Sequence, residues 1–200
     1  DTPTLFLASN KNFLQSNLYY YILGNPLEDM KNRMAQKAYN EYMGGSMAGV
    51  VFQEIRELRS LGYSAYAGYS YDVFNRRPGF VLGYLGTQCD KTNEGCDAMA
   101  ELLVKFPNRP EKFDMAKTSI LQRMESDYLT FREIPGAVKD WKEQGYNSDP
   151  RADRIAMLKT ITIKDVEKFY NDNIGGHPLV ITVAGDKSRI NVEELAKTYK

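Results

Sequence analysis

The chain is poor in the residues that most often do chemistry. In 200 residues there is one histidine, one tryptophan and two cysteines. A catalytic zinc takes three protein ligands, commonly with histidine among them, so the lone His177 excludes an HxxEH or HExxH pair in this chain. It lies in Gly175-Gly176-His177-Pro178, ahead of an apolar run, and reads as a solvent-exposed turn residue. Excess charge is also lacking: Lys+Arg and Asp+Glu are both 26. With no local Lys/Arg cluster, nothing argues for nucleic acid as a partner. No apolar run approaches the ~18 residues of a spanning helix. The chain opens Asp1-Thr2-Pro3, with neither an initiator methionine nor a signal peptide, and reads as an excised domain or a processed product.

The two cysteines, Cys89 and Cys96, are too widely spaced for a CxxC redox pair or a zinc knuckle. They are expected either to close the turn between them as a small disulfide or to pack as reduced thiols. A disulfide would imply an oxidising compartment such as the periplasm or cell envelope; without it a cytoplasmic setting stays open. A Cys–His dyad with His177 has no local signature. Gly44-Gly45-Ser46-Met47-Ala48-Gly49 lacks the lysine of a phosphate-binding loop and the spacing of a dinucleotide fingerprint, and reads as a corner between helices. One tryptophan, Trp141, argues against a carbohydrate platform. The tyrosines, 14 of them, suit a half-buried sheet face.

What is present is an ordinary globular composition, 42% hydrophobic and 26% charged, long enough for one domain spanning residues 1–200. Strands are predicted at 4–8 and 17–23, paired antiparallel as a hairpin. Asn25, Pro26 and Glu28 predict the start of a helix carrying Leu27, Met30, Met34, Ala38 and Tyr42 on one face, stopped by Gly44-Gly45. A second helix is predicted from Ser46, burying Met47, Val50, Val51, Ile55 and Leu58, and broken at Leu61-Gly62. Strands follow at 63–71 and 79–87, then helices at 92–106 and 111–132, the latter striped with Phe113, Ala116, Ile120, Met124 and Tyr128. Shorter helices are predicted at 135–145 and 149–159. Thr162 caps a helix at 163–173, with Asp165 near its positive end. A strand at 179–184 and a helix at 192–199 close the chain. This order predicts an α+β fold: two layers, a largely antiparallel sheet of five to six strands, helices on one face.

Two side chains stand out within that scheme. Arg56 falls near a helix C-terminus and Tyr63 begins the next strand. A fold-back at Leu61-Gly62 would bring both to one rim, where a guanidinium and a phenol can donate to peptide carbonyls. The plainer alternative is that Arg56 neutralises helix carbonyls and pairs with a surface glutamate.

Phe52-Gln53-Glu54-Ile55-Arg56-Glu57-Leu58-Arg59-Ser60-Leu61-Gly62-Tyr63 resembles the F-x-E-V/I-R-E-x-x-x-L-A/G-Y segment of the pitrilysin, insulin-degrading enzyme and mitochondrial processing peptidase family of zinc metallopeptidases. Asn40-Glu41-Tyr42-Met43-Gly44-Gly45-Ser46 is similar to the helix end and glycine turn that precede it. Ile161–Phe169 is similar to a late family helix, and Val180–Asp186 to the last strand. The resemblance thus runs from Thr4 to Asp186. It departs at Leu58, where lysine is common, and at Ser60, where glycine is. It implies repeated α+β domains, one bearing HxxEH and zinc, the other lacking both, together enclosing an unfolded peptide that adds to a sheet edge of the active half. In this chain the motif's place is Met30-Lys31-Asn32-Arg33-Met34, with no ligand, so the zinc is expected in a partner domain, in the same polypeptide or another subunit. By this resemblance the chain has no catalytic residue, and Arg56 and Tyr63 contact peptide substrate. It is a chamber-closing half that grips backbone while the partner hydrolyses it. The alternative is an inert scaffold, like related domains of the respiratory cytochrome bc complex.

Overall fold

The computed structural model describes residues 4–44, 47–74 and 77–199. Its elements run β1 (Thr4–Ser9), β2 (Gln15–Leu23), α1 (Met30–Met43), a π-helical segment (Phe52–Leu58), β3 (Gly62–Ser70), β4 (Phe80–Gln88), a 3-10 turn (Cys89–Lys91), α2 (Thr92–Val104), α3 (Pro110–Ser126), α4 (Ile134–Glu143), α5 (Arg151–Thr160), α6 (Ile163–Asn173), β5 (Leu179–Gly185) and α7 (Val192–Thr198). The expected Gly45 and Ser46 helix boundaries, and Asn75 and Arg76 of the β3–β4 loop, lie outside the described residues.

Five strands form one sheet in the order β1-β5-β2-β4-β3. The α+β class holds, and every pairing is antiparallel except β1 with β5. The expected β1–β2 hairpin is not formed. β5 inserts between them, with Thr4 opposite Val180 and Ile22 opposite Leu179. The reason is burial: β5 alternates fully buried and half-buried residues, a pattern that suits an interior strand with a neighbour on each side.

Period-two alternation assigns the two faces. Leu18, Tyr20 and Ile22 of β2, Val81 and Leu85 of β4, and Ile181 and Val183 of β5 are buried beneath the helices. Burying each such side chain is worth about 1.5–3 kcal/mol. On the opposite face one register row crosses all five strands as Phe6, Thr182, Tyr19, Tyr84 and Tyr66. Ring centroids are 5.1 Å apart for Tyr19–Tyr84 and 5.6 Å for Tyr66–Tyr84. Tyr19, Tyr21, Tyr66 and Tyr84 mark the half-buried sheet face expected of the tyrosines, whereas Tyr20, Tyr39, Tyr42 and Tyr69 are core residues.

α1 begins later than Asn25 predicts. Asn25 is held as a tether instead: its Nδ2 donates to the Asp172 carbonyl (2.7 Å), and its own carbonyl accepts from the Tyr69 hydroxyl (2.6 Å). Asp29 caps the helix, accepting from the Asn32 amide at 2.8 Å. α1 stops where Gly44 meets the edge strand: a Cβ there would lie 2.3 Å from the Ala67 carbonyl oxygen. α3 ends at Ser126, short of residue 132, because the Glu133 carboxylate folds back on the amide and hydroxyl of Thr130 and starts a new turn. Tyr128 therefore leaves the expected stripe and is exposed, whereas Phe113 and Ile120 are buried. α6 has the predicted bounds and cap, Thr162 and Asp165 forming a reciprocal box. Among the described residues no helix is long and apolar enough to cross a membrane.

Candidate functional site

The segment carrying Arg56 is wound more widely than the α-helix expected there. Val50, Val51 and Ile55 are fully buried, but Met47 and Leu58, predicted on the same face, are exposed. The i→i+5 bonding of a π turn explains Leu58, since it shifts later side chains off the 3.6-residue face, and such turns recur at functional sites; Met47 lies in the turn before the helical residues begin. Glu54 is buried and paired with Arg109, which pins the segment to the start of α3. Ser60 then takes a left-handed conformation, φ 50°. That is the conformation glycine adopts without strain, at the position where the resembling family commonly has glycine. The Leu61 amide reaches back to the Ile55 carbonyl at 2.9 Å. Gly62 crosses so close to β4 that a Cβ would sit 2.4 Å from the Gly86 oxygen.

This fold-back carries Tyr63 to a bulge between Gly62 and Ser64 on β3, an edge strand of the sheet. Bulges of this kind re-aim a side chain, and Tyr63 is 81% exposed. The Arg56 guanidinium carbon lies 4.6 Å from the Tyr63 ring centroid and 4.8 Å from that of Phe52. Arg56 Nε is 3.6 Å from a Glu57 carboxylate oxygen. The two side chains singled out in the sequence are thus brought together at one rim. Cation–π contact restrains the guanidinium at a place where Arg56 is partly and Tyr63 largely exposed. Phe52 and the Glu54–Arg109 pair were missed by sequence reasoning. A buried carboxylate inside an apolar face is a signal for such an anchor, though its partner lies far along the chain.

No metal fits here. α1 presents no ligand at residues 30–34, and among the described residues no group of three or more His, Cys, Asp or Glu side chains could hold an ion. His177 is half-buried rather than solvent-exposed, because its Nδ1 bonds the Leu23 carbonyl at 2.6 Å and ties the approach to β5 onto the end of β2. The disulfide alternative is not realised: Cys89 and Cys96 are both free and buried. The Cys89 thiol donates to the Phe13 carbonyl. Cys96 faces the core from α2, where burial pushes its thiol up to about 12.

A family model described as the peptidase M16 inactive domain matches residues 5–120. The fold is similar to a peptidase M16 inactive domain from Pseudomonas fluorescens (TM-score 0.77, 20% identity, 93% of this chain and 44% of that one). It is also similar to the periplasmic protease PqqL from Escherichia coli (TM-score 0.70, 16% identity, 93% and 21%). A third similar structure is a chain of complex III2 from Candida albicans (TM-score 0.63, 11% identity, 92% and 46%). The chain therefore spans less than half the length of each of these proteins. No curated protein matches it in sequence. With more than half its length matched by that model, the chain belongs to the peptidase M16 inactive-domain family.

Proposed function

We propose that this chain is a single non-catalytic domain that closes a peptidase chamber and grips the backbone of a peptide or unfolded protein. The metal and the cleavage belong to a partner domain bearing HxxEH, in the same polypeptide or another subunit. The observation that carries the reading is the Arg56–Tyr63 pair, stacked at an exposed bulge of an edge strand. A guanidinium held by a ring loses little freedom on binding, so its charge-assisted bonds to peptide carbonyls are favoured. The phenol supplies a second donor beside it. The likeness to a periplasmic protease supports a periplasmic or envelope setting.

The test is peptide cleavage by the catalytic partner with and without this domain. Dependence on the domain, and a drop of about tenfold in kcat/KM for Arg56→Ala or Tyr63→Phe, is the expected result; one lost charge-assisted bond is worth about that much. Unchanged kinetics in both variants would refute the gripping role. They would favour an inert scaffold, a reading supported by the likeness to a chain of complex III2 and by the Glu57 contact that already engages Arg56.

A further inference from the structure

A cavity of about 410 Å³ is bounded by α1, the end of α3, α4, α5 and the chain leaving β3. Its charge is one-sided in a protein that is neutral overall. Arg33, Lys37, Arg151 and Arg154 line it against one carboxylate, Asp127. Arg151 is already neutralised by Asp149 at 2.6 Å. The other three cations appear in none of the ion pairs among the described residues. Among the described residues Arg33 donates to the Leu27 carbonyl (3.1 Å) and Arg154 to the Gln144 amide oxygen (2.9 Å). Both acceptors are neutral, and although Asp149 also attracts Arg154, cations outnumber carboxylates in the lining. Lys37 feels this: partial burial, then repulsion from Arg123 and Arg154, lowers its pKa, with Asp127 and Glu41 opposing.

Aromatic rings fix the guanidinium groups. Arg154 lies 5.1 Å from the Tyr146 ring and Arg33 lies 6.0 Å from that of Tyr71. Part of the remaining wall is apolar, from Met34, Met124 and Ile155, beside the amides of Gln36 and Gln144. The roof is α4, which has no buried residue and turns Ala137 and Trp141 inward. Pre-oriented guanidinium groups match a carboxylate in planar, bidentate fashion. The apolar wall matches a hydrophobic body attached to it, which inorganic phosphate lacks.

We propose that this cavity binds a peptide carboxylate carried on an apolar residue, the C-terminal carboxylate in the first instance. The proposal rests on the peptide-handling reading above but concerns a different set of residues. Arg33, Lys37 and Arg154 hold the anion, the methionine and isoleucine wall takes the last side chain, and α4 closes over it.

Trp141 is the only tryptophan in the chain, so its emission reports on this cavity alone. The experiment titrates the protein with N-acetyl-Ala-Ala-Leu as free acid and as C-terminal amide. A saturable change with the acid, at least about tenfold weaker with the amide, is expected. Arg154→Gln and Lys37→Gln should each weaken the acid by about tenfold, and added salt should weaken it further. Arg189→Gln, which removes a cation paired with Asp90 outside the cavity, should bind as the unaltered protein does, and the titration needs no catalytic partner, which separates this site from the cleavage result. An amidated peptide with an internal glutamate that binds as well as the free acid would assign the anion to a side chain and keep the site. No saturable change with any carboxylate, or equal binding of acid and amide that neither glutamine variant alters, would overturn the proposal.

Discussion

Replacing Tyr39 by phenylalanine should make this domain more stable. Tyr39 is fully buried on α1, its ring 5.6 Å from that of Phe169. Its hydroxyl has no hydrogen-bond partner among the described residues. Burial pushes its pKa far above the ordinary phenol value. An uncompensated buried hydroxyl costs about 1–3 kcal/mol, while the ring keeps its packing in the variant. Allowing for the small void left behind, the net gain is about 1 kcal/mol, or roughly 2–4 °C in Tm for a chain of this size. Tyr170→Phe is the matched control. Its hydroxyl donates to the Leu103 carbonyl at 3.1 Å, so its removal should cost about 1 kcal/mol. Urea unfolding followed by circular dichroism, with m unchanged, reads both. A Tyr39→Phe loss as large as the control's would refute the reasoning, because it would mean that a water or unseen donor serves that hydroxyl.

Gly44→Ala should destabilise by about 2 kcal/mol or more, since the new methyl would meet the Ala67 backbone rather than a flexible side chain; a thermal melt decides it. The Asp165 carboxyl is held down to about 2 by Lys31 and then by Thr162. Its stabilising contribution is therefore complete above the unfolded pKa of ~4 and lost as pH falls toward 2. Acid titration of Asp165→Asn should lack that loss. Neither Cys89 nor Cys96 should react with a thiol reagent in the native protein at pH 8, and both should react after denaturation; one equivalent released natively would contradict the burial.

Legibility in the sequence followed the range of the physics. α6 announced its start because Thr162 and Asp165 are local to each other. The Arg56–Tyr63 rim was legible because a short segment creates it. The β1–β5 pairing was not, because nothing near Thr4 in the chain specifies Val180 as its neighbour. Nor was the π turn, whose exposed Leu58 reads as buried under a 3.6-residue period. The delayed start of α1 was hidden for a similar reason. Asn25 is a good cap by type, but Tyr69 and Asp172 recruit it as a tether. The cationic cavity needs α1, α4 and α5 to be assembled before its charges meet.

The parallel contact of β1 with β5 also sets an order of events in synthesis. Ladder bonds at Leu5 and Leu7 require Ile181 and Val183, which leave the ribosome long after the first strand does. Until then β1 is an unclaimed strand bearing apolar side chains, with its backbone groups open to foreign partners. Closing so long a loop is entropically costly and slow. Docking of β1 thus waits on a strand made more than 170 residues later, and until then its exposed edge is a place where a chaperone would act.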